Sequence, residues 1–565
     1  MSGVELSPAW TLILGAALVP LLRGKARAAW TVLLPLAGMV QLALLAPGEY
    51  GHVSFLGQDL LLVRADRWSF VFGWVFLIAA LIAAIYSLHV RDAVQPAAGL
   101  AYAGAALGAV FAGDLLTLFV FWELTAVTSV LLIWARRSER SFRAGMRYLV
   151  IQLASGMLLM FGALQHLVAT GSLRFEHLGL DAPGGLLIFL AFGMKCAFPL
   201  LHNWLQDAYP EATESGTVWL SAFTTKLAVY ALARGFAGTE ALIWIGAVMT
   251  AFPIFYAVIE NDLRRVLAYS LNNQLGFMVV GIGIGTELAL NGTAAHAFTH
   301  ILYKALLFMS MGAVLLRAGT VNGSELGGLY RSMPWTAAFC IVGAASISAF
   351  PLFSGFVSKS MILSAAGMDG LVLTYLVLLF ASAGVFHHSG IKIPYFAFFG
   401  HDSGKRCKEA PANMLVAMAI AAVLCIGIGV YPAPMYALLP YPVDYVPYTG
   451  SHVLTQLQLL TFSALAFSVL MYTRVYPPEL RSVNLDTDWF YRRLLSSSAF
   501  HGGRLVGATL QAAEAAGVSA LARLDVWARY LHGPRGPLAR TWASGAMGLG
   551  VMVMLLAFLV SYYLV

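Results

Sequence analysis

Seven ionisable side chains lie within stretches that are otherwise apolar enough to span a membrane. A charge near the bilayer centre costs ~2.5 kcal/mol or more, so each such residue is already a functional hypothesis. Glutamate, histidine and lysine can all bind and release protons. Their recurrence in five segments indicates a relay for ions across, or along, a membrane. The candidates are Glu123, Lys195, Lys226, His296, His300, Lys304 and Lys359.

Glu123 and Lys195 form the first candidate pair. Alone in lipid each would lose its charge, whereas facing one another inside a helix bundle they can both stay charged. Such a pair can act as a switch, because Lys195 gives up its proton more readily once Glu123 moves away or is drawn to another cation. A static structural ion pair is the alternative.

His296, His300 and Lys304 follow one another at i, i+4 and i+8, which places all three on one face of a helix. Histidine titrates near neutral pH, so this stripe suits a proton wire with intervening water. Histidines that only satisfy a helix interface are an alternative. A metal site is disfavoured, since the segment contains no HExxH motif and no carboxylate.

Lys226 and Lys359 extend the series, although a lysine can also snorkel to the membrane surface. A further set of charged residues lies close to the predicted ends of apolar runs and ranks lower for that reason. This set comprises Asp66, Asp114, His387, His388 and Lys392.

The composition excludes an ordinary soluble domain. Of 565 residues 60% are hydrophobic and 11% charged, against about 25% charged in soluble proteins, and the mean hydropathy is +0.78. A spanning helix needs about 20 apolar residues. The sequence therefore predicts an all-α polytopic membrane protein with about 16 transmembrane helices, near 8–22, 29–46, 69–89, 97–113, 115–135, 145–170, 184–206, 213–235, 241–259, 266–284, 289–317, 334–362, 370–398, 412–430, 453–473 and 541–564.

The distribution of the basic residues indicates how the chain is oriented in the membrane. They concentrate in alternate loops, with five arginines between 136 and 147, so the positive-inside rule places the N-terminus outside and 136–147 in the cytoplasm. The net charge of +7 therefore predicts no nucleic-acid partner. The start, MSGVELSPAW, has neither a basic n-region nor a cleavage site, so we expect the first helix to be retained.

The sequence lacks the residue patterns of metal, iron–sulfur and nucleotide-binding sites. The four cysteines are widely spaced without a CxxC motif, which argues against zinc and iron–sulfur sites. The chain contains neither a Walker A motif nor a GxGxxG that opens a helix. We therefore expect no cofactor, no metal and no enzymatic activity of its own.

One tetrapeptide occurs twice within apolar segments. Ala197-Phe198-Pro199-Leu200 and Ala349-Phe350-Pro351-Leu352 lie 152 residues apart, and the proline should break each helix. Interrupted helices at corresponding positions indicate an inverted repeat. The predicted regions are N-terminal helices (1–95), two inverted halves (96–238 and 239–400), peripheral helices (401–474), a cytoplasmic amphipathic segment (475–540) and a last spanning helix (541–565). A solvated linker is the alternative for 475–540.

These residues resemble the antiporter-like membrane subunits shared by respiratory complex I, membrane-bound hydrogenases and Mrp-type cation/proton antiporters. The stretches that carry the resemblance cover roughly residues 60–400, and SGIKIPYFAFFG and NLDTDWFYRR look most like the D-type member of the Mrp Na+/H+ antiporters. The others are LLTLFVFWELTAVTSVLLI, AFGMKCAFPLLHNWLQDAYPEA, NDLRRVLAYSLNNQLGFM, HAFTHILYKALLFM and FPLFSGFVSK.

The resemblance implies a 14-helix core of two inverted five-helix repeats with broken helices 7 and 12. It also implies that Glu123 modulates protonation of Lys195 and that protons leave near Lys359. The chain departs from the family pattern at Ser360, where an acid is frequent, and at Arg264, where lysine is common. Arginine cannot release a proton in practice, so we expect Arg264 to act electrostatically.

Two functional hypotheses follow. In the first, the chain is the proton-translocating subunit of a multi-subunit monovalent cation (Na+)/H+ antiporter in a bacterial-type inner membrane, with other membrane subunits as partners. In the second, it is the energy-coupling subunit of a redox or inorganic-carbon-uptake enzyme complex. A self-sufficient carrier of an organic solute is less favoured, because no specific pocket is evident.

Overall fold

The computed structural model describes residues 7–481 and 484–564. The first residues of the MSGVELSPAW stretch, two residues of the 475–540 segment and Val565 lie outside the described residues. The chain divides into two compact units, Met1–Asn484 and Leu485–Val565.

Helices account for most of the described residues of the first unit. Its helices are α1 Pro8–Leu18, α2 Gly24–Leu44, α3 Arg67–Tyr86, α4 Val94–Phe111, α5 Leu115–Trp134, α6 Glu139–Thr170, α7 Gly185–Lys195, α8 Asn203–Ala208, α9 Gly216–Ala222, α10 Thr224–Phe236, α11 Ala241–Ile259, α12 Leu263–Ile284, α13 Glu287–Ala318, α14 Pro334–Ile347, α15 Ser354–Met368, α16 Val372–Val385, α17 Lys392–Pro394, α18 Ala412–Val430, α19 Ala433–Tyr436 and α20 Gly450–Tyr472. Two π-helical turns, Phe386–Ile391 and Tyr395–Phe399, flank α17.

The second unit contains a π-helical turn and two helices. The turn is Phe490–Leu495, and the helices are α21 Ser496–His532 and α22 Ser544–Leu564.

The prediction of an all-α polytopic membrane protein is confirmed. Each of the sixteen predicted spans contains helix, and twelve helices of the described chain are long and apolar enough to cross a membrane. One of the twelve, Phe490–His532, falls within the segment that the sequence assigns to an amphipathic surface helix. That assignment, like the predicted boundaries of the other regions, stays a prediction.

Both copies of the repeated tetrapeptide interrupt a helix in the same way. The interruption separates α7 from α8 in the first half and α14 from α15 in the second. Ala197 and Leu200 adopt positive φ values of 61° and 71°, and Ala349 and Leu352 adopt 55° and 73°. A left-handed conformation is costly for residues with a Cβ atom, so its occurrence at the same two positions of both copies marks one shared backbone motif.

The halves around these breaks are built alike. Asp114 caps the N-terminus of α5 and forms an isolated backbone β-bridge with Arg174. In the same way, Asp262 caps α12 and forms an isolated backbone β-bridge with Asn322. The next helices, α6 and α13, are both 32 residues long. Each half contains five helices when an interrupted helix is counted once, which is the odd number that an inverted repeat requires. The inversion itself stays a prediction.

A β-hairpin between α2 and α3 was not expected. Strands β1 Gly48–Phe55 and β2 Gln58–Ala65 pair antiparallel around Leu56 and Gly57, which take positive φ values of 49° and 77°. Two successive positive φ values match the twist of a tight hairpin. Along β2 the more buried residues alternate with the less buried ones up to Ala65, so one face of the hairpin covers the bundle.

Candidate functional site

Lys195 is the last residue of α7, where the helix breaks. Its side chain is fully buried. The Nζ atom donates to the carbonyl oxygen of Trp122 at 2.5 Å and to Oγ1 of Thr125 at 2.9 Å, and it lies 4.5 Å from the centre of a Trp122 ring. The ammonium group at the broken end of α7 thus contacts the middle of α5. An ammonium held by neutral oxygens and an aromatic face can exist with or without its extra proton.

Glu123 lies beside this contact but does not form the direct ion pair that the sequence analysis expected. No carboxylate of the described chain comes within 4.0 Å of Lys195 Nζ, although the charges of Glu123 and Lys195 interact. Glu123 is half-buried, and its Oε1 atom has no protein hydrogen-bond partner. The reason is geometric, because Lys195 reaches the residue before Glu123 and the residue two positions after it on α5.

The room for Glu123 comes from Gly156 of α6. A Cβ atom at Gly156 would lie 1.3 Å from Oε1 of Glu123. The absence of a side chain on α6 therefore lets the carboxylate stay between α5 and α6, next to the contact that holds Lys195.

The Gly156→Ala variant should displace the Glu123 carboxylate while leaving the fold intact, since the atom that must move is the end of a flexible side chain. We expect the rate of pH-gradient-driven cation exchange to fall about tenfold or more, as when a reacting group is misplaced by an ångström. The measurement is exchange in everted vesicles at equal amounts of protein. Gly427→Ala is the matched control, because a Cβ atom there meets nothing within 4 Å. Equal rates in both variants would contradict a role for the position of Glu123.

Lys226 and Lys359 each cap a helix end at an interruption. Lys226 of α10 donates to the carbonyl oxygen of Ser221 at 2.6 Å, where α9 ends. Lys359 of α15 donates to the carbonyl oxygen of Ile347 at 3.1 Å, where α14 ends, and lies 5.0 Å from the centre of the Phe277 ring. Both side chains are buried, at 0% and 2% exposure, so neither snorkels to the surface.

The histidine stripe of α13 lies in the centre of the bundle. His296 contacts Oγ of Ser358 through Nδ1 at 3.2 Å and the hydroxyl of Tyr303 through Nε2 at 3.4 Å. The Tyr303 hydroxyl in turn donates to Oε1 of Gln274 at 3.1 Å. His296 is therefore part of a polar network that joins α12, α13 and α15.

His300 and Lys304 complete the stripe without protein hydrogen bonds. Both ring nitrogens of His300 and the Nζ atom of Lys304 are fully buried and have no protein partner. The charges of Lys226, Lys304, His296 and Lys359 all act on His300. Buried polar atoms normally have partners, so this concentration of unpaired ones is typical of a functional site.

The structure thus brings five of the seven predicted residues into one central cluster around His300, with Lys226 at one side and Lys359 at the other. Glu123 and Lys195 form a second group. Cys196, which follows Lys195 in the chain, is buried close to Lys226, so the two groups are neighbours. The assignment of these seven residues as a proton relay stays a prediction.

A cavity of about 220 Å³ adjoins Lys359. Ser360, Tyr375, His452 and Gln456 are among its lining residues. His452 stacks on Phe356 with ring centres 4.3 Å apart, and Gln456 donates to the carbonyl oxygen of Ser348 at 3.1 Å. The peripheral helix α20 therefore forms one wall of the space beside the second broken helix.

Arg264 holds a loop rather than a place in the cluster, and its expected electrostatic role stays a prediction. Its guanidinium is buried and donates to the carbonyl oxygens of Pro210 and Ala212, both at 3.1 Å, and to the hydroxyl of Thr217. It thereby fixes the connection between α8 and α9.

The lower-ranked residues divide into caps and buried groups. Asp66 and Asp114 cap the N-termini of α3 and α5, accepting from the backbone of Ser69 and Thr117. His388 and Lys392, in contrast, are completely buried. The sequence places both near a helix end, but the π-helical turns carry the helix on to Phe399.

Comparison with known proteins agrees with this geometry. Residues 112–386 match the family described as NADH:quinone oxidoreductase/Mrp antiporter, transmembrane. Hydrogenase-4 component B of Escherichia coli is 29% identical over 348 residues, which cover 54% of this chain and 52% of the relative. The D-type subunit of the Na(+)/H(+) antiporter of Alkalihalophilus pseudofirmus is 32% identical over 330 residues, which cover 55% of this chain and 66% of the relative.

A solved structure extends the similarity over most of the fold. A chain in the structure of the Mrp complex from Dietzia sp. DQ12-45-1b superposes with a TM-score of 0.76 and 25% identity, covering 92% of this chain and 62% of that one. The present chain spans less than two thirds of the length of these three proteins. The matched region contains the broken helices and all seven candidate residues. Over residues 112–386 the chain therefore matches the family of antiporter-like membrane subunits of the Mrp and complex I type.

Proposed function

We propose that this chain is the proton-translocating subunit of a multi-subunit monovalent cation/proton antiporter, with Na+ as the exchanged cation. The observation that carries the proposal is a row of buried basic groups, in which Lys195, Lys226 and Lys359 lie at helix interruptions and His300 and Lys304 have no protein partner. Protons would pass between Glu123–Lys195 and Lys359 through Lys226, His300 and Lys304. The chain itself would carry no enzyme chemistry.

The proposed orientation places the N-terminus outside and residues 136–147 in the cytoplasm of a bacterial-type inner membrane. The arginine-rich connection between α5 and α6 supports this orientation through the positive-inside rule. The partners would be other membrane subunits, as in the Mrp complex that contains a similar chain.

A second candidate function is favoured by the similarity to hydrogenase-4 component B. In that case the same buried row would couple proton movement to a redox or inorganic-carbon-uptake enzyme complex, and the enzyme chemistry would reside on another chain.

Affinity purification of the tagged chain from native membranes in mild detergent separates the two functions. The antiporter proposal predicts copurification of small hydrophobic subunits with a second large antiporter-like subunit, together with Na+/H+ exchange after reconstitution of the assembly. Iron–sulfur, hydrogenase or soluble enzyme subunits in the preparation would instead establish the second function.

A further inference from the structure

A buried ion pair joins two stretches that the proposed function does not use. Lys392, from the SGIKIPYFAFFG stretch, lies 2.9 Å from Oε1 of Glu479, in the polar segment after α20. The Lys392 side chain is fully buried and that of Glu479 is 6% exposed. A buried ion pair is weak evidence for stability, because apolar residues of similar size often stabilise as well or better. Its presence inside the bundle therefore points to a role for the charges.

The pair sits at the end of α11. Lys392 Nζ also donates to the carbonyl oxygens of Val258 and Glu260, both at 2.7 Å. Solvent is close to this point, because Arg481, two residues after Glu479, has a side chain that is 74% exposed. The ion pair thus lies just beneath the surface of the bundle.

His388 extends the ion pair towards the centre. It precedes Lys392 by four residues, within the π-helical turn Phe386–Ile391, and is completely buried. It is close enough to Lys304, Lys359, Lys392 and His387 to interact with them electrostatically, so it is near both the central cluster and the ion pair. Its Nε2 atom has no protein hydrogen-bond partner.

Hydroxyl and amide groups continue from His388 to the central cluster. Nδ1 of His388 contacts Oγ of Ser389 at 2.9 Å, and Ser389 donates to Oγ of Ser270 on α12 at 2.7 Å. Gln274 is one turn further along the same face of α12. Gln274 accepts from the Tyr303 hydroxyl, which contacts His296. Two steps have no direct contact between side chains, namely the step from Lys392 to His388 and the single helical turn from Ser270 to Gln274.

The first half of the chain has groups of the same kind. There a glutamate and a buried lysine, Glu123 and Lys195, interact with each other, and a further buried lysine, Lys226, caps a helix interruption. Near the second half Glu479 and Lys392 form an ion pair, and His388 lies in the π-helical turn just before Lys392. The two sets of groups approach the central cluster from different helices.

We propose that Glu479, Lys392 and His388 form a second proton access path, which leads from the surface at the end of α11 along α12 to His296. The inference rests on the proposed function, because the path serves the same central cluster. Glu479 exchanges protons with solvent, and Lys392 and His388 carry them inwards. The Ser389 and Ser270 hydroxyls lead them along α12, and the Tyr303 hydroxyl, which Gln274 orients, passes them to His296. Water would bridge the steps that have no direct contact.

The decisive variant is Lys392→Arg, which keeps the positive charge and the ion pair but cannot release a proton. Rates of Na+/H+ exchange are measured in everted vesicles that contain the whole assembly, with assembly checked by copurification. We expect Lys392→Arg and Glu479→Gln to lower the rate about tenfold or more, the loss typical for removal of a proton-transfer group. Glu479→Asp, which keeps the carboxylate, should restore most of the rate.

Glu325→Gln is the matched control. Glu325 binds Arg481 of the same polar segment, so this variant loosens the segment without touching the path. Hydrogen bonds from Asn322 and Arg481 lower the pKa of Glu325 to about 2, so the native residue is charged throughout the assay. We expect wild-type exchange in this variant.

Exchange at the wild-type rate in Lys392→Arg would overturn the path and make the ion pair structural. If Lys392→Arg fails to assemble, His388→Gln tests the same path, with the same loss expected and the same wild-type rate overturning it. Lys195→Met separates this inference from the proposed function. Loss of exchange in Lys195→Met with normal exchange in Lys392→Arg refutes the path alone, whereas normal exchange in both refutes the proposed function as well.

Discussion

The Lys195→Met variant is expected to lose pH-gradient-driven cation exchange, with a rate at least about a hundredfold below wild type, as when a required proton-transfer group is removed. Lys195 is the only candidate whose ammonium joins the first broken helix to α5, through Trp122 and Thr125. Methionine has a similar volume but no proton to exchange. Protons that reach Glu123 would then have no group to carry them on towards Lys226.

Two further variants separate proton transfer from structure. Lys195→Arg keeps a charge at the break but cannot release a proton, so it should be as inactive as Lys195→Met. Lys408→Met removes an exposed lysine from the loop before α18 and should exchange normally. The measurement is the initial rate of dye dequenching in everted vesicles, normalised to the amount of assembled protein. Wild-type exchange by Lys195→Arg would show that only the charge at this position matters.

The sequence predicts the spans well because the membrane imposes one simple rule, about 20 apolar residues per helix. The predicted spans at 241–259 and 412–430 coincide with α11 and α18 at both ends. The β-hairpin was missed because it lies outside the bundle, where hydropathy over a helix-length window carries little information. Its signal is the short alternation in β2 and the Leu56-Gly57 turn.

Long-range contacts within the site are harder to predict. Sequence spacing places Glu123 and Lys195 at similar depths, which suggests an ion pair. Which atoms meet depends on the rotation of α5 against the broken end of α7, and that rotation brings Lys195 to the Trp122 carbonyl oxygen instead. The room for Glu123 depends on Gly156 of a third helix, which no property of the α5 sequence reveals.

The buried ion pair between Lys392 and Glu479 was missed for a different reason. Lys392 ranks low in the sequence because it lies near a predicted helix end, and Glu479 belongs to a polar stretch that the sequence assigns to the surface. The structure instead brings this stretch back against the end of α11. Hydropathy cannot predict such a contact, because it averages over neighbours in sequence and not over neighbours in space.

The position occupied by Lys304 in α13 and by Gly156 in α6 shows how the two repeats differ. Lys304 in α13 and Gly156 in α6 stand at the same position of two helices of equal length. In the first half Gly156 has no side chain at this position and leaves room for Glu123. In the second half Lys304 places an amine here that has no protein hydrogen-bond partner. A fully buried amine without such a partner is a burden on stability, since an unpaired buried polar group costs about 1–3 kcal/mol or more.

Replacing Lys304 by methionine should therefore stabilise the fold and abolish exchange at the same time. We expect the midpoint of thermal unfolding in detergent to rise by about 1–3 °C, because relief of about 1–3 kcal/mol shifts the midpoint by roughly 1 °C per kcal/mol in a chain of 565 residues. Exchange should fall at least about a hundredfold, because the central cluster loses one of its carriers.

Lys359→Met supplies the contrast for the stability measurement. Lys359 donates to the Ile347 carbonyl oxygen at the end of α14 and contacts the Phe277 ring, so its removal leaves a buried carbonyl oxygen without that donor. The same lysine-to-methionine change should therefore lower the midpoint here, while exchange is again lost. A lower midpoint for Lys304→Met would mean that its ammonium is well satisfied in the folded protein, and exchange at the wild-type rate would remove Lys304 from the relay. Opposite shifts in stability with the same loss of exchange would separate the two functions of buried lysines in this chain: Lys359 secures a broken helix, and Lys304 is kept, at a cost to stability, for the protons it carries.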